Sequence, residues 1–184
     1  NQLTSKDKVP IVVYAGAAGL VLDATSNPSE IRNAIEQLSA GGSTAGGAGI
    51  ELAYRIAEAN RIDGGVNRVI LATDGDFNVG ISDRDQLVEM IEKKRASGIS
   101  LTTLVFGTGN INDALTEQLA NKGNGNYYYI DSIQEARKVF GEQLDGTLQV
   151  IAKDVKLQVE FDKNKVPRYR LIGYENRDIA DKDF

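Results

Sequence analysis

Two loops of this chain carry residue types that hold hard cations or phosphate groups. Thr73-Asp74-Gly75-Asp76 follows the apolar run Val69-Ile70-Leu71-Ala72, and Gly41-Gly42-Ser43-Thr44-Ala45-Gly46-Gly47 leads into a segment of helical periodicity. An aspartate at the carboxyl end of a strand commonly serves a hard cation or a catalytic step. A glycine-rich loop feeding a helix offers free N–H groups and the positive end of the helix dipole to an anion or an oxygen-rich ligand. Each loop also has a plain structural account, Asp74-Gly75 as a turn and the glycine run as a flexible connection. The glycine run is not a P-loop, because no Gly-Lys-Ser/Thr follows, and it does not follow a strand directly as a dinucleotide fingerprint does. Asp74 and Asp76 form an Asp-x-Asp spacing that admits a phosphoryl-transfer metal site. No phosphate-binding lysine motif and no general base stand beside it.

Composition removes much other chemistry. The 184 residues contain no Cys and no His, which excludes disulfides, zinc fingers, thiol nucleophiles and His-based triads or bases. Hydrophobic residues at 41% and charged residues at 26% match a globular domain, or one domain with a short appendage. The net charge of −5 and the lack of a basic run argue against nucleic acid as a partner. No apolar stretch approaches the roughly 18 residues that span a bilayer, so direct membrane insertion of this segment is not expected. The chain starts at Asn1 without a signal-peptide pattern, which suggests a processed or excised segment and leaves the compartment open.

These loops need elements to position them. Val9–Tyr14 and Gly19–Asp23 are short β-type runs joined by Ala15 to Ala18, the signature of an antiparallel hairpin, with Pro10 near an edge or a strand start. Asn27-Pro28-Ser29-Glu30 supplies a cap, a first-position proline and an acidic third residue for a helix with Ile31, Ile35 and Leu38 on one face. Ile50, Ala53, Tyr54 and Ala57 share a face of the next helix. Val69–Ala72 is apolar throughout, as a parallel strand covered on both faces would be. Ser82 to Ser97 reads as a helix stopped by Gly98, Ile99–Phe106 as a strand, and a helix carrying Leu115 and Leu119 follows. Tyr127–Ile130 is an edge strand whose tyrosines alternate in and out, and Ser132-Ile133-Gln134-Glu135 is a capping box opening a helix with Ala136, Val139, Phe140 and Leu144 inward. Lys93-Lys94-Arg95 is the solvated end of its helix. The alternation predicts an α/β fold, a doubly wound and mostly parallel sheet with an antiparallel edge strand, over residues 1–151. After Ile151, Val155, Leu157, Val159 and Phe161 alternate with polar residues and Arg168–Tyr174 is extended, so residues 152–184 read as the start of a β-rich module.

Taken together, Gly42-Ser43-Thr44 before Gly49-Ile50-Glu51-Leu52-Ala53 and the strand ending Ala72-Thr73-Asp74-Gly75 resemble the von Willebrand factor type A family, from about Val9 to Leu148. Within it the chain looks closest to bacterial proteins labelled as such or as Ca-activated chloride channel homologues, in which a segment similar to 152–184 begins a following domain. The label implies no pore here. The resemblance implies a Rossmann-like sheet and a metal-ion-dependent adhesion site built from three loops. Thr44 would give a hydroxyl ligand and Asp74 would act through water, with Ser43, Gly75 and Asp76 at the rim or behind the ligands. The ion would be Mg²⁺, or Ca²⁺ or Mn²⁺, held by hard oxygens, with one position left for an Asp or Glu of a protein partner. The family also favours the cell envelope or the extracellular space.

The family's Asp-x-Ser-x-Ser motif is absent from this sequence, and by resemblance the first central strand that carries it lies upstream of Asn1. Three readings therefore stand: a metal-dependent protein-interaction module whose ion binds in the complete parent and weakly or not at all in this segment, a metal-independent scaffold, and a phosphoryl-transfer or nucleotide-binding enzyme. The first, which is not an enzyme, leads. Thr44 and Asp74 are expected at one sheet edge. The place of the missing strand is expected between Val9–Tyr14 and Val69–Thr73, unless those two strands pair directly or another strand fills it.

Overall fold

Strand and helix boundaries follow the apolar runs and caps closely. A computed structural model describes residues 3–14, 18–39, 46–74, 84–107, 113–143, 159–162, 164–166 and 168–170. Strand β1 (Val9–Val13) pairs antiparallel with β2 (Gly19–Thr25), with Val9 opposite Thr25 and Val13 opposite Gly19. The register shifts on either side of Ile11. Pro10 lies in the first of these irregularities, where its missing N–H interrupts no regular ladder.

Helix α1 (Pro28–Glu36) starts as the cap motif requires. The Asn27 side chain accepts from the Ser29 N–H at 3.0 Å, and the Glu30 carboxylate accepts from Asn27 Nδ2 at 2.9 Å and Thr25 Oγ1 at 2.7 Å. Its apolar face is not buried as expected. Ala34 is covered, but Ile35 and Leu38 are 55% and 43% exposed. The reason is topological: α1 packs chiefly against β2, and the N-terminal residues Leu3, Thr4 and Asp7 leave an open hollow beside Ile31 and Ile35.

Three parallel strands form the second sheet in the order β3 (Asn67–Thr73), β4 (Ile99–Phe106), β5 (Tyr127–Ile130). Helices α2 (Gly46–Ala59), α3 (Arg84–Arg95) and α4 (Asp113–Lys122) contribute to one core, in which Ile50 and Tyr54 meet Leu71, Leu101, Ile91 and Leu119. On the other face α5 (Ile133–Lys138), capped by Ser132 Oγ accepting from the Glu135 N–H at 3.2 Å, runs into a π-helical turn, Val139–Gln143. Val139 packs there with Leu104 and Ile130. Helices on both faces make the sheet doubly wound, and β4 is buried on both.

Two inward residues were expected where the structure differs. Phe140 is 41% exposed, because the π-helical turn carries the residues after Val139 out of α-helical register. Ile70 is 46% exposed, because α5 covers β4 and β5 and leaves the outer face of β3 open among the described residues. Leu144 lies outside the described residues.

The hairpin does not join the parallel sheet. β1 and β2 form a sheet of their own, so the direct pairing of Val9–Tyr14 with Val69–Thr73 is not formed.

The chain divides into two compact units, Asn1–Gln149 and Val150–Phe184. Within the second, the N–H groups of Lys165 and Val166 donate to the Asp162 carbonyl at 3.0 and 2.8 Å, reversing the chain. Phe161 and Tyr169 face each other across this turn with ring centroids 4.6 Å apart. Val155 and Leu157, whose alternation suggested a strand, lie outside the described residues.

Candidate functional site at the carboxyl edge of β3

Asp74 is the residue immediately after β3, with an exposed side chain, while Thr73 before it is buried. The strand delivers it there by its alternation: Val69, Leu71 and Thr73 face the core, and the next residue leaves the sheet at its carboxyl edge.

A tyrosine ties this edge to the start of α2. The Tyr14 hydroxyl donates to the Ala72 carbonyl at 2.6 Å, and a Cβ built on Gly49 would lie 3.0 Å from Tyr14 Cγ. Gly49 is in the first turn of α2, so that turn and the end of β3 lie within one side chain of each other. Gly46, Gly47 and Gly49 are all buried, and at Gly49 the lack of a side chain lets the helix approach Tyr14.

The electrostatics agree with this proximity. Burial pushes the Tyr14 phenol above its ordinary value; a hydrogen bond with the Thr73 side chain works in the other direction, and the negative charge of Asp74 adds to the rise. One residue beyond β4, Gly107 has φ +130°, and its carbonyl accepts from the Tyr129 hydroxyl at 2.9 Å. This pins the neighbouring β4 and β5 ends together.

Of the residues singled out from the sequence, Asp74 is at the carboxyl edge as expected. Thr44, Ser43, Gly75 and Asp76 lie outside the described residues, and with them the convergence of Thr44 on Asp74. Helix α2 nevertheless begins at Gly46, two positions after Thr44, at the same edge as Asp74. The donors this edge offers are oxygens, the kind a hard cation takes. Among the described residues no group of three or more Asp, Glu, His or Cys forms a ready-made cluster. Tyr14 was not foreseen. Its only sequence signal is its place as the aromatic end of the run Val9–Tyr14.

Comparison with known proteins places these features in a family. The von Willebrand factor type A domain model matches residues 1–142, and the model described as uncharacterized protein YfbK, C-terminal, matches residues 146–184. The uncharacterized protein YfbK of Escherichia coli (strain K12) is 46% identical over 186 residues, covering 100% of this chain and 32% of the relative. The chain thus spans about a third of that protein's length. Among solved structures, the conserved hypothetical protein BatB from Bacteroides thetaiotaomicron superposes with a TM-score of 0.64 at 22% identity, over 78% of this chain and 80% of that one. Proximal thread matrix protein 1 from the mussel byssus, described with a zinc-occupied MIDAS motif, gives 0.55 at 24% identity, over 72% of this chain and 32% of that one. These likenesses establish the fold.

Proposed function

The chain belongs to the von Willebrand factor type A domain family, and on that premise we propose that its carboxyl edge is part of a cation-dependent site for an acidic side chain of a partner protein. Domains of this family are protein-interaction modules, and they are generally not enzymes. The observation that carries the finer reading is the exposed Asp74 at the end of β3, beside the first turn of the helix that Thr44 precedes.

In this reading Thr44 offers a hydroxyl to the ion and Asp74 holds a water on it. Ser43, Gly75 and Asp76 shape the rim. Mg²⁺ suits such a set because it takes hard oxygens and keeps waters readily, and Ca²⁺ or Mn²⁺ would use the same donors. A bound ion whose nearest ligands are mostly neutral remains attractive to an incoming Asp or Glu. These two residues are part of a coordination shell, so the remaining donors are proposed to come from the longer protein, and binding to this chain alone is expected to be weak. The relative with a zinc-occupied motif supports the reading by likeness.

A metal-independent scaffold, in which these loop residues only hold the rim of the sheet, is the second reading. Pull-down of partners by the longer protein, with Mg²⁺ and with EDTA, separates the two. Capture lost in EDTA and restored by Mg²⁺ supports the site; equal capture in both sinks it. Phosphoryl transfer at Asp74 and Asp76 has no lysine motif to support it.

A further inference from the structure

Helix α4 closes its last turn before the chain enters β5. The Gly123 N–H donates to the Leu119 carbonyl at 2.9 Å and the Asn124 N–H to the Asn121 carbonyl at 3.3 Å. The Gly125 N–H reaches back to the Ala120 carbonyl at 2.9 Å, a pattern that commonly ends helices. It requires one residue in the left-handed conformation, and here that residue is Asn124, with φ +52°. Glycine usually stands at this position, and asparagine is the common substitute.

Asn124-Gly125 is also the one Asn-Gly pair among the 184 residues, and such a pair carries a chemistry of its own. The Gly125 backbone nitrogen, with no side chain to hinder it, can lose its proton and attack Cγ of Asn124. An N–Cγ bond forms, the Cγ–Nδ2 bond breaks, and the amide nitrogen takes up a proton and leaves as ammonia. Water then opens the cyclic imide at either carbonyl. One opening gives aspartate; the other gives isoaspartate, with the main chain rerouted through the side chain. This reaction is one reason asparagine counts as thermolabile.

In the folded chain the reacting groups are present but restrained. Asn124 is exposed, so water and base reach it. The attacking nitrogen is held, since its N–H is bonded to Ala120. To close the imide ring Asn124 must leave its left-handed conformation, and Gly125 must turn with it. Gly125 lies so close to the Leu101 backbone that even a Cβ has no room. The flanking residues are tied as well, the Gly123 and Asn126 carbonyls accepting from the Leu101 and Thr103 N–H groups, each at 2.9 Å. The brake is conformational. It is released when the end of α4 lifts from β4.

We infer that Asn124-Gly125 is a gated modification site, inert while this turn is closed and converted to aspartate or isoaspartate when it opens. The modified fraction therefore records the time that molecules have spent open. The record lasts, because ammonia is lost. Isoaspartate adds a main-chain atom inside the turn, so Gly125 no longer keeps both its bond to Ala120 and its place on Leu101. The inference is independent of the cation site.

The test incubates the longer protein in mildly alkaline buffer, folded and in guanidinium chloride, beside the capped peptide Lys-Gly-Asn-Gly-Asn-Tyr as the unrestrained reference. Trypsin releases Gly123–Arg137, in which mass spectrometry reads the change from amide to acid and an isoaspartate methyltransferase labels the rerouted product. The denatured protein should convert like the peptide, and the folded protein at least about 10-fold more slowly, because only its locally open fraction reacts. Exchange of the Gly125 N–H needs the same opening, so conditions that speed one should speed the other. Asn124→Gly, which suits the left-handed position, should keep the fold and abolish the change at this position. The inference is overturned if folded and denatured protein convert at the same rate, if the denatured protein does not convert, or if the change falls on Asn126 instead. Conversion that proceeds while Gly125 exchange stays slow would also overturn it, by showing ring closure inside the intact turn.

Discussion

The Tyr14 hydroxyl donates to the Ala72 carbonyl at 2.6 Å, joining residues 58 positions apart. It connects the end of β1 to the end of β3, between two sheets that share no backbone ladder. Tyr14→Phe removes the donor and leaves the ring. Stability should fall by about 1 kcal/mol, read as a lower urea midpoint with an unchanged slope. An unchanged midpoint would show that the bond contributes nothing.

Gly49→Ala attacks the same junction from the helix side. The added methyl meets the Tyr14 side chain, and overpacking of this kind costs about 1–3 kcal/mol, more than alanine's better helix propensity returns. Combining it with Tyr14→Gly should recover part of the loss, because the obstruction begins at the Tyr14 Cβ and glycine removes it; a simple addition of the two losses would disprove the contact.

Burial holds the phenols of both Tyr14 and Tyr54 above the ordinary value of 10.0. Below about pH 10 both folded and unfolded chains keep these protons and the stability is fully present. Above it the unfolded chain releases them first, so stability declines as pH rises toward the folded values. Thermal melts between neutral pH and about pH 11 should show this decline, and it should be shallower in Tyr54→Phe. The Tyr54 hydroxyl is buried without a hydrogen-bond partner among the described residues. Removing it at neutral pH should therefore be neutral or stabilising by up to about 1 kcal/mol, whereas a clear loss would reveal an acceptor.

Gly125 lies against the Leu101 backbone so closely that a Cβ there would collide with the Leu101 carbonyl. The same loop aligns β5 on β4, the N–H of Leu101 donating to Gly123 and that of Thr103 to Asn126, each at 2.9 Å. Gly125→Ala must push the strands apart and should cost about 3 kcal/mol, lowering the melting temperature by several degrees. A variant as stable as the parent would mean that the loop yields freely.

Asp74→Ala in the longer protein should weaken Mg²⁺-dependent partner capture about 10–100-fold, the usual loss when a residue holding a metal-bound water is removed. Because Asp74 is exposed, urea unfolding should change by less than about 1 kcal/mol. Full capture by this variant would remove Asp74 from the site.

The periodic parts of the fold were legible in the residues. Tyr127–Ile130 and Ile99–Phe106 have the bounds their apolar runs suggest, and the caps at Asn27 and Ser132 form the bonds their residue types allow. Local chemistry decides such features. The burial of Ile35, Leu38 and Ile70 was not legible, since periodicity reports that a face is apolar and not whether anything covers it. Phe140 escaped because a π-helical turn leaves no periodic signal. At the site, Asp74 was marked by its position after an apolar strand. Tyr14 was not, because its role comes from a contact made across 58 positions of chain.

The two separate sheets give the molecule two clocks. Amide exchange in β4, flanked by ladders on both sides and buried on both faces, should follow global unfolding. The β1–β2 hairpin, half-buried at best along most of its length, should open as its own foldon and exchange sooner. The carboxyl edge of β3 sits at the seam between these units. A ligand that engages both sides of the seam would announce itself first as slowed exchange in the hairpin, before any change in the parallel strands.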